Sequence, residues 1–201
     1  MVLSVSLPAC KDRSAPPSQP AEQGKPTPSP SAQAPADQPV NPDAKALAVF
    51  MERVNEYVGV HRKLEDSLPH LSKESSPKEI DTHQRSLGLM IQNARRGAKQ
   101  GDIFTPESQV VIKRLLARVF GEPDGPALKA SIMDENPGIA TLKVNERYPD
   151  TVPLSTIPPQ VLQGLPRLPE EMEFRFIGNS LILMDVHAHI IVDFIPSAFP
   201  K

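Results

Sequence analysis

The 201-residue chain contains one cysteine, no tryptophan and two tyrosines. A single cysteine excludes an intramolecular disulfide framework. Without tryptophan, the two tyrosines and seven phenylalanines leave no aromatic platform of the kind on which single-stranded nucleic acid stacks. The formal net charge is −2 with both signs interspersed, so the basic face that a phosphate backbone requires is missing as well. The densest basic cluster, Arg95, Arg96 and Lys99, falls at the end of a predicted helix, where cations complement the dipole. No apolar run approaches the roughly 18–20 residues of a spanning helix. The glycines are scattered and form no phosphate loop, and no Gly-x-Ser-x-Gly elbow sets a serine apart as a nucleophile. Nucleic-acid binding, nucleotide binding and serine hydrolysis are therefore excluded as expectations, and no cofactor is expected.

Proline is abundant, and its distribution is uneven. Ten of the 24 prolines lie in residues 1–43, where large apolar residues are almost absent, so this part cannot bury enough surface to offset its ordering entropy. Leu7-Pro8-Ala9-Cys10 places a small residue before the only cysteine, after a short apolar segment. This is how a bacterial lipoprotein looks around its cleavage and acylation point. The segment before Cys10 has no positive n-region and falls short of an apolar h-region of about 7 to 15 residues. A start further upstream would supply both. Residues 1–10 are thus read as a partial lipoprotein signal with Cys10 as the lipidation site, and 11–43 as a disordered Pro/Ser/Ala/Gln-rich tether. That tether would span on the order of 30 Å as a coil and about 100 Å as polyproline II. Residues 44–201 are of the usual size for a single domain.

Helical periodicity fills the first two thirds of that domain. Leu47, Phe50, Met51, Val54, Val58, His61, Leu64 and Leu68 recur at three- and four-residue steps, which predicts a helix from Ala44 to about Leu68, stopped by Pro69. A second helix is expected to open at Pro77 with Ser76 as N-cap and Glu79 completing a capping box. It buries Ile80, Leu87, Ile91, Ala94 and Ala98 and ends at Gly101. Thr105, Pro106 and Glu107 open a third. Its Val110, Val111, Ile112, Leu115, Leu116, Val119 and Phe120 form a wide apolar surface, and Gly121 and Pro123 end it. A short fourth helix runs from about Pro126 to Asp134.

After Pro137 the period changes. Ile139 to Val144 reads as a short extended segment, and six prolines between Pro149 and Pro169 forbid long regular structure, leaving room for one helical turn at Pro159 to Gln163. Three strands follow: Glu173 to Ile177, a Gly178-Asn179 turn, Ser180 to Asp185, a turn at Val186-His187-Ala188-His189, and Ile190 to Ile195. Their runs are apolar on both faces. The meander is therefore expected to be covered by helices on one side and by the Pro-rich segment on the other. The class is α+β, a four-helix part followed by a three-stranded antiparallel meander.

Asp185-Val186-His187-Ala188-His189 resembles the ligand motif that opens the amidohydrolase barrels. In those enzymes it lies near the N-terminus and a barrel of roughly 250 residues follows, whereas 12 residues follow His189 here. A smaller metal site is the alternative. On a straight strand Asp185, His187, His189 and Asp193 would share one face, a donor set that suits zinc, copper or nickel. The expected structure is instead a tight turn, with Asp185 bonded to turn amides and His189 left-handed. His83 and His61 fall on apolar helix stripes and are expected to be hydrogen-bonded core histidines.

Residues Leu168–Pro196, with the run Glu171-Met172-Glu173-Phe174-Arg175-Phe176-Ile177-Gly178 and the Asp185–His189 turn, are similar to a group of uncharacterised exported bacterial proteins. The similarity takes in Val144-Asn145-Glu146-Arg147-Tyr148-Pro149 and covers about a third of the chain. It implies an envelope location and a shared domain, and it assigns no functional residues. The sequence thus points to an exported, lipid-anchored, non-enzymatic module at the cell envelope, tethered through Cys10, with an envelope protein as partner. A cytoplasmic protein with an interaction tail is the alternative location, and a metal-binding protein or metal-dependent enzyme using Asp185, His187 and His189 is the alternative function.

Overall fold

A computed structural model describes residues 41–135 and 141–200. Cys10, the partial signal and nearly all of the expected tether lie outside the described residues. So do Pro137 and the start of the Ile139–Val144 segment. The described residues form helices α1 (Pro42–Glu65), α2 (Pro77–Ala94), α3 (Pro106–Phe120), α4 (Gly125–Glu135) and α5 (Pro159–Gly164). Four strands, β1 (Glu146–Arg147), β2 (Met172–Ile177), β3 (Ser180–Asp185) and β4 (Ile190–Ile195), make an antiparallel sheet in the order β1-β4-β3-β2. No helix among them is long and apolar enough to cross a membrane.

Local chemistry sets the helix starts. Ser76 and Glu79 form the expected capping box, and Thr105 accepts a hydrogen bond from the Ser108 amide, each satisfying amides that have no partner within the helix. α1 begins at Pro42 rather than Ala44, because the Asn41 side chain accepts from the Asp43 amide at 3.0 Å. It ends at Glu65, and residues 66–68 continue only as a turn. α2 stops at Ala94 instead of running to Gly101. Three residues expected in the apolar faces, Ile80, Ala94 and Val110, are exposed. All sit toward the ends of their helices, where periodicity marks a face but not how far the neighbouring layer extends.

The sheet has four strands rather than three. The chain turns at Asn145, whose φ of 67° is one that asparagine tolerates. Its amide donates to the Ile191 carbonyl at 2.8 Å, and its side chain donates to the carbonyls of Gln92 and Arg95 at 3.1 and 3.2 Å. The extended pairing therefore begins after residue 144, at Glu146 and Arg147. Two residues are too few for an alternating pattern to reveal. The opposite edge is closed by Ser155, whose hydroxyl bonds both the amide and the carbonyl of Phe176, so part of the outer ladder of β2 is occupied.

The core lies on both faces of the sheet. Phe174, Phe176, Leu181, Leu183, Ile190 and Val192 pack against Phe50, Leu87, Phe104 and Leu116 of the helical layer. Ile177, Ile182, Met184 and Ile191 pack against Tyr148, Leu142 and Val152 from the Pro-rich side. The β3–β4 register jumps between Leu183, paired with Asp193, and Met184, paired with Ile191. Val192 is left as the bulged residue, which lets it and Asp193 both face the helices. Asp193 then accepts the amides of Gly101, Ile103 and Phe104 at 2.8 to 3.0 Å and fixes the loop that leads into α3.

Candidate metal centre

His61 and Glu65 stand one helical turn apart in the last two turns of α1, continuing the buried stripe Phe50, Val54, Tyr57 and Val58. Facing them is the four-residue β3–β4 turn, residues 186–189, which carries His187. Asp185, the last residue of β3, is fully buried and organises the meeting point. Its Oδ2 accepts from the Tyr57 hydroxyl and from His61 Nδ1, both at 2.6 Å, while its Oδ1 accepts the Ala188 amide at 2.8 Å. The Arg95 guanidinium lies 5.0 Å over the Tyr57 ring and closes the inner side of this chain.

Asp185 fixes which tautomer the neutral His61 ring takes. A carboxylate oxygen accepts, so Nδ1 carries the proton, and the lone pair of the neutral ring is on Nε2. That nitrogen is 3.1 Å from Glu65 Oε2. Glu65 is also met by His187 Nδ1, at 3.1 Å from Oε1 and 3.3 Å from Oε2, and by His83 Nε2 of α2, at 3.7 Å from Oε1. One carboxylate is thus surrounded by three imidazole nitrogens. The outer part of the cluster reaches solvent, with Glu65 30% and His187 41% exposed, whereas His83 is 11% exposed and His61 is fully buried.

The titration behaviour follows from this crowding. Burial alone would lower the His61 pKa, but the hydrogen bond and charge of Asp185, with those of Glu65, raise it above the ordinary value. Burial alone would raise Glu65, and the hydrogen bonds and charges of His187 and His61 outweigh it and hold the carboxyl low. Burial and the adjacent Asp185 push the Tyr57 hydroxyl well up, so it remains a donor. The cluster favours positive charge at its centre and negative charge at its two carboxylates.

The residues singled out in the sequence separate into two groups. The structure brings His187 to the cluster and sets Asp185 behind it, as the partner that orients His61. It takes His189 elsewhere. At φ 55°, His189 has the left-handed backbone expected of the turn; its ring meets Tyr148 edge-on with centroids 5.5 Å apart, and its Nε2 is 4.0 Å from Asp150. Burial and the nearby Arg147 lower its pKa. Asp193 belongs to the loop before α3. Glu65, His61 and His83 complete the cluster, and sequence reasoning did not place them there. The available signal was His61-x-x-x-Glu65, two ligand-type residues at a spacing that shares one helix face. Among the described residues, His61, Glu65 and His187 offer donor atoms that all lie within 4.8 Å of one another. Comparison with family models, with curated proteins and with solved structures returned no match for this chain.

Proposed function

We propose that this domain binds a divalent transition-metal ion between α1 and the β3–β4 turn, as a non-enzymatic module held at the cell envelope by a tether lipidated at Cys10. The observation that supports the metal is the face-to-face placement of His61 Nε2 and Glu65 Oε2 at 3.1 Å, with Nδ1 already committed to Asp185. Two electron pairs aimed at one another require a cation between them or a proton on the ring. Imidazoles with a carboxylate suit zinc, copper or nickel. A tetrahedral sphere with bonds of about 2.0–2.1 Å sets its donors roughly 3.3 Å apart, close to the separations around Glu65. Asp185 supplies the carboxylate behind a metal-bound histidine that fixes ring and tautomer. Together with Glu65 it balances the charge of a divalent ion.

The test is zinc binding by the full-length protein after chelator treatment, read by metal analysis and competition titration. One zinc per chain is expected. The His61→Ala, His187→Ala double variant should lose it, and His189→Ala should keep it. Asp185→Asn should weaken it by roughly 10–100-fold, the usual effect of losing an outer partner, because the amide can donate to Nδ1 and move the proton to Nε2. No zinc on the wild-type protein, or equal zinc on the double variant, rejects the proposal.

A further inference from the structure

We infer that the outer edge of β2 is a docking groove for an extended peptide segment of a partner protein, which adds as a strand and sets an acidic side chain against the cations of the rim. None of the residues around Glu65 takes part. The inference therefore goes beyond the metal reading and does not rest on it.

β2 ends the sheet in the order β1-β4-β3-β2, so one side of its backbone has no neighbouring strand. Phe176 shows which residues face that side, because its amide and carbonyl bond the Ser155 hydroxyl. Hydrogen-bonding direction alternates along a strand, and Phe174, two residues earlier, also turns its N–H and C=O outward. No bond satisfies them among the described residues, although Phe174 is only 4% exposed. A buried backbone pair without partners is unfavourable. A strand laid beside β2 supplies both partners.

The wall opposite that edge leaves room for such a strand. Between β2 and residues 156–168, which include α5, runs a groove of about 860 Å³, the size of a site that encloses a short ligand rather than a domain. Ile157, Leu162 and Leu165 give it one apolar wall and Met172 and Phe174 the other, with Leu162 49% exposed. Side chains of β2 alternate between the layers: Met172, Phe174 and Phe176 pack with the helices and with Val161 of α5, and Ile177 packs on the Pro-rich side. Glu173 and Arg175 therefore stand on the Pro-rich side. A strand added here meets the apolar wall of α5 with one set of residues and the charged pair with the alternate set.

Charge selects the polar set. Arg167 and Arg175 line the groove against one carboxylate, Glu173. Arg175 donates to Glu173 and to the Ser155 carbonyl, while its buried Nε has no hydrogen-bond partner. Arg167 is exposed and forms no ion pair among the described residues. One cation is left over, and the complementary segment carries Asp or Glu between its apolar residues.

The probe is a display library of random heptapeptides, selected on the full-length protein, with the enriched sequence synthesised and titrated. Enriched sequences should alternate apolar residues with Asp or Glu, and selection on Arg167→Glu should replace those acids by Lys or Arg. Leu162→Asp, with its fold checked by circular dichroism, should weaken binding by at least about tenfold, as loss of a buried leucine contact does. The Phe174 amide should exchange more slowly by NMR once the peptide is bound. No enriched sequence, an unchanged charge preference on Arg167→Glu, or a Phe174 amide that the peptide leaves unaffected overturns the proposal. So does a concentration-dependent dimer that Leu162→Asp abolishes, which would assign the groove to a second copy.

Discussion

Asp185 and Glu65 face the two nitrogens of one imidazole, and their different surroundings give them different tasks. Asp185 is sealed from water and takes three donors, from Tyr57, His61 and Ala188, so it is a fixed acceptor. Glu65 is part-exposed and meets ring nitrogens of His61, His187 and His83. A second carboxylate, Glu171, is buried beside this centre and bonded to the exposed Arg62. Burial alone would raise its pKa, but the Arg62 hydrogen bond and charge, with a backbone bond, bring it below the ordinary range. The folded value is thus lower than the unfolded value of about 4.3, and the stability it contributes is present above that pH and disappears as pH falls through the folded value. Urea unfolding of wild type and Glu171→Gln across an acid series should show a gap at neutral pH that closes in acid. Curves that stay equally separated into strong acid would mean that the Arg62–Glu171 pair is not the source.

At the scale of elements, the β3–β4 turn and α2 form one assembly. The Gly178-Asn179 turn needs only a glycine at φ 52°, as the first position of a two-residue II′ loop requires. The second turn is different, because its Asp185 and His187 reach α1 and its backbone supports α2. The absence of a side chain at Gly88 permits this approach, since the nearest obstacle, the Ala188 carbonyl, belongs to the turn. Gly88→Leu should force α2 outward, destabilising the domain by about 1–3 kcal/mol as overpacking does. Thermal unfolding measures the effect. A Gly88→Leu protein as stable as wild type would show that α2 is seated by other contacts.

The proposal for the whole molecule joins a metal-binding domain to an anchoring segment. Ala9-Cys10 and the proline-rich stretch that follows are read from sequence alone, and their prediction concerns the entire chain. Protein recovered from native cells should partition with membranes and have an intact mass that begins at Cys10 and carries diacylglycerol and acyl additions. A soluble, unmodified chain that retains the residues before Cys10 would reject the envelope anchor and leave the metal proposal untouched, because the proposed ligands His61, Glu65 and His187 lie among the described residues. Asn41 caps α1, and Asp43 pairs with Arg114 of α3 at 2.5 Å, so the helix that carries His61 and Glu65 is fixed at its start.

The sequence by itself determined the order and ends of most elements, because these depend on neighbours along the chain. Pro at the first helical position, Ser76 with Glu79, Thr105 before Pro106, and apolar runs broken by Gly178-Asn179 are all local. It also indicated that the sheet is covered on both faces, since β3 and β4 are apolar at consecutive positions. The two-residue β1 escaped it, because its pairing with β4 depends on a single left-handed Asn145. The site was decided by tertiary structure. His61 meets Asp185 across 124 positions, and His187 meets Glu65 across 122, contacts that no periodicity encodes. Sequence could align Asp185, His187 and His189 only by assuming a straight strand. The turn broke that alternation, sent His189 to Tyr148 and left His187 facing α1, because side-chain direction in a turn follows from its dihedral angles and from what packs against it.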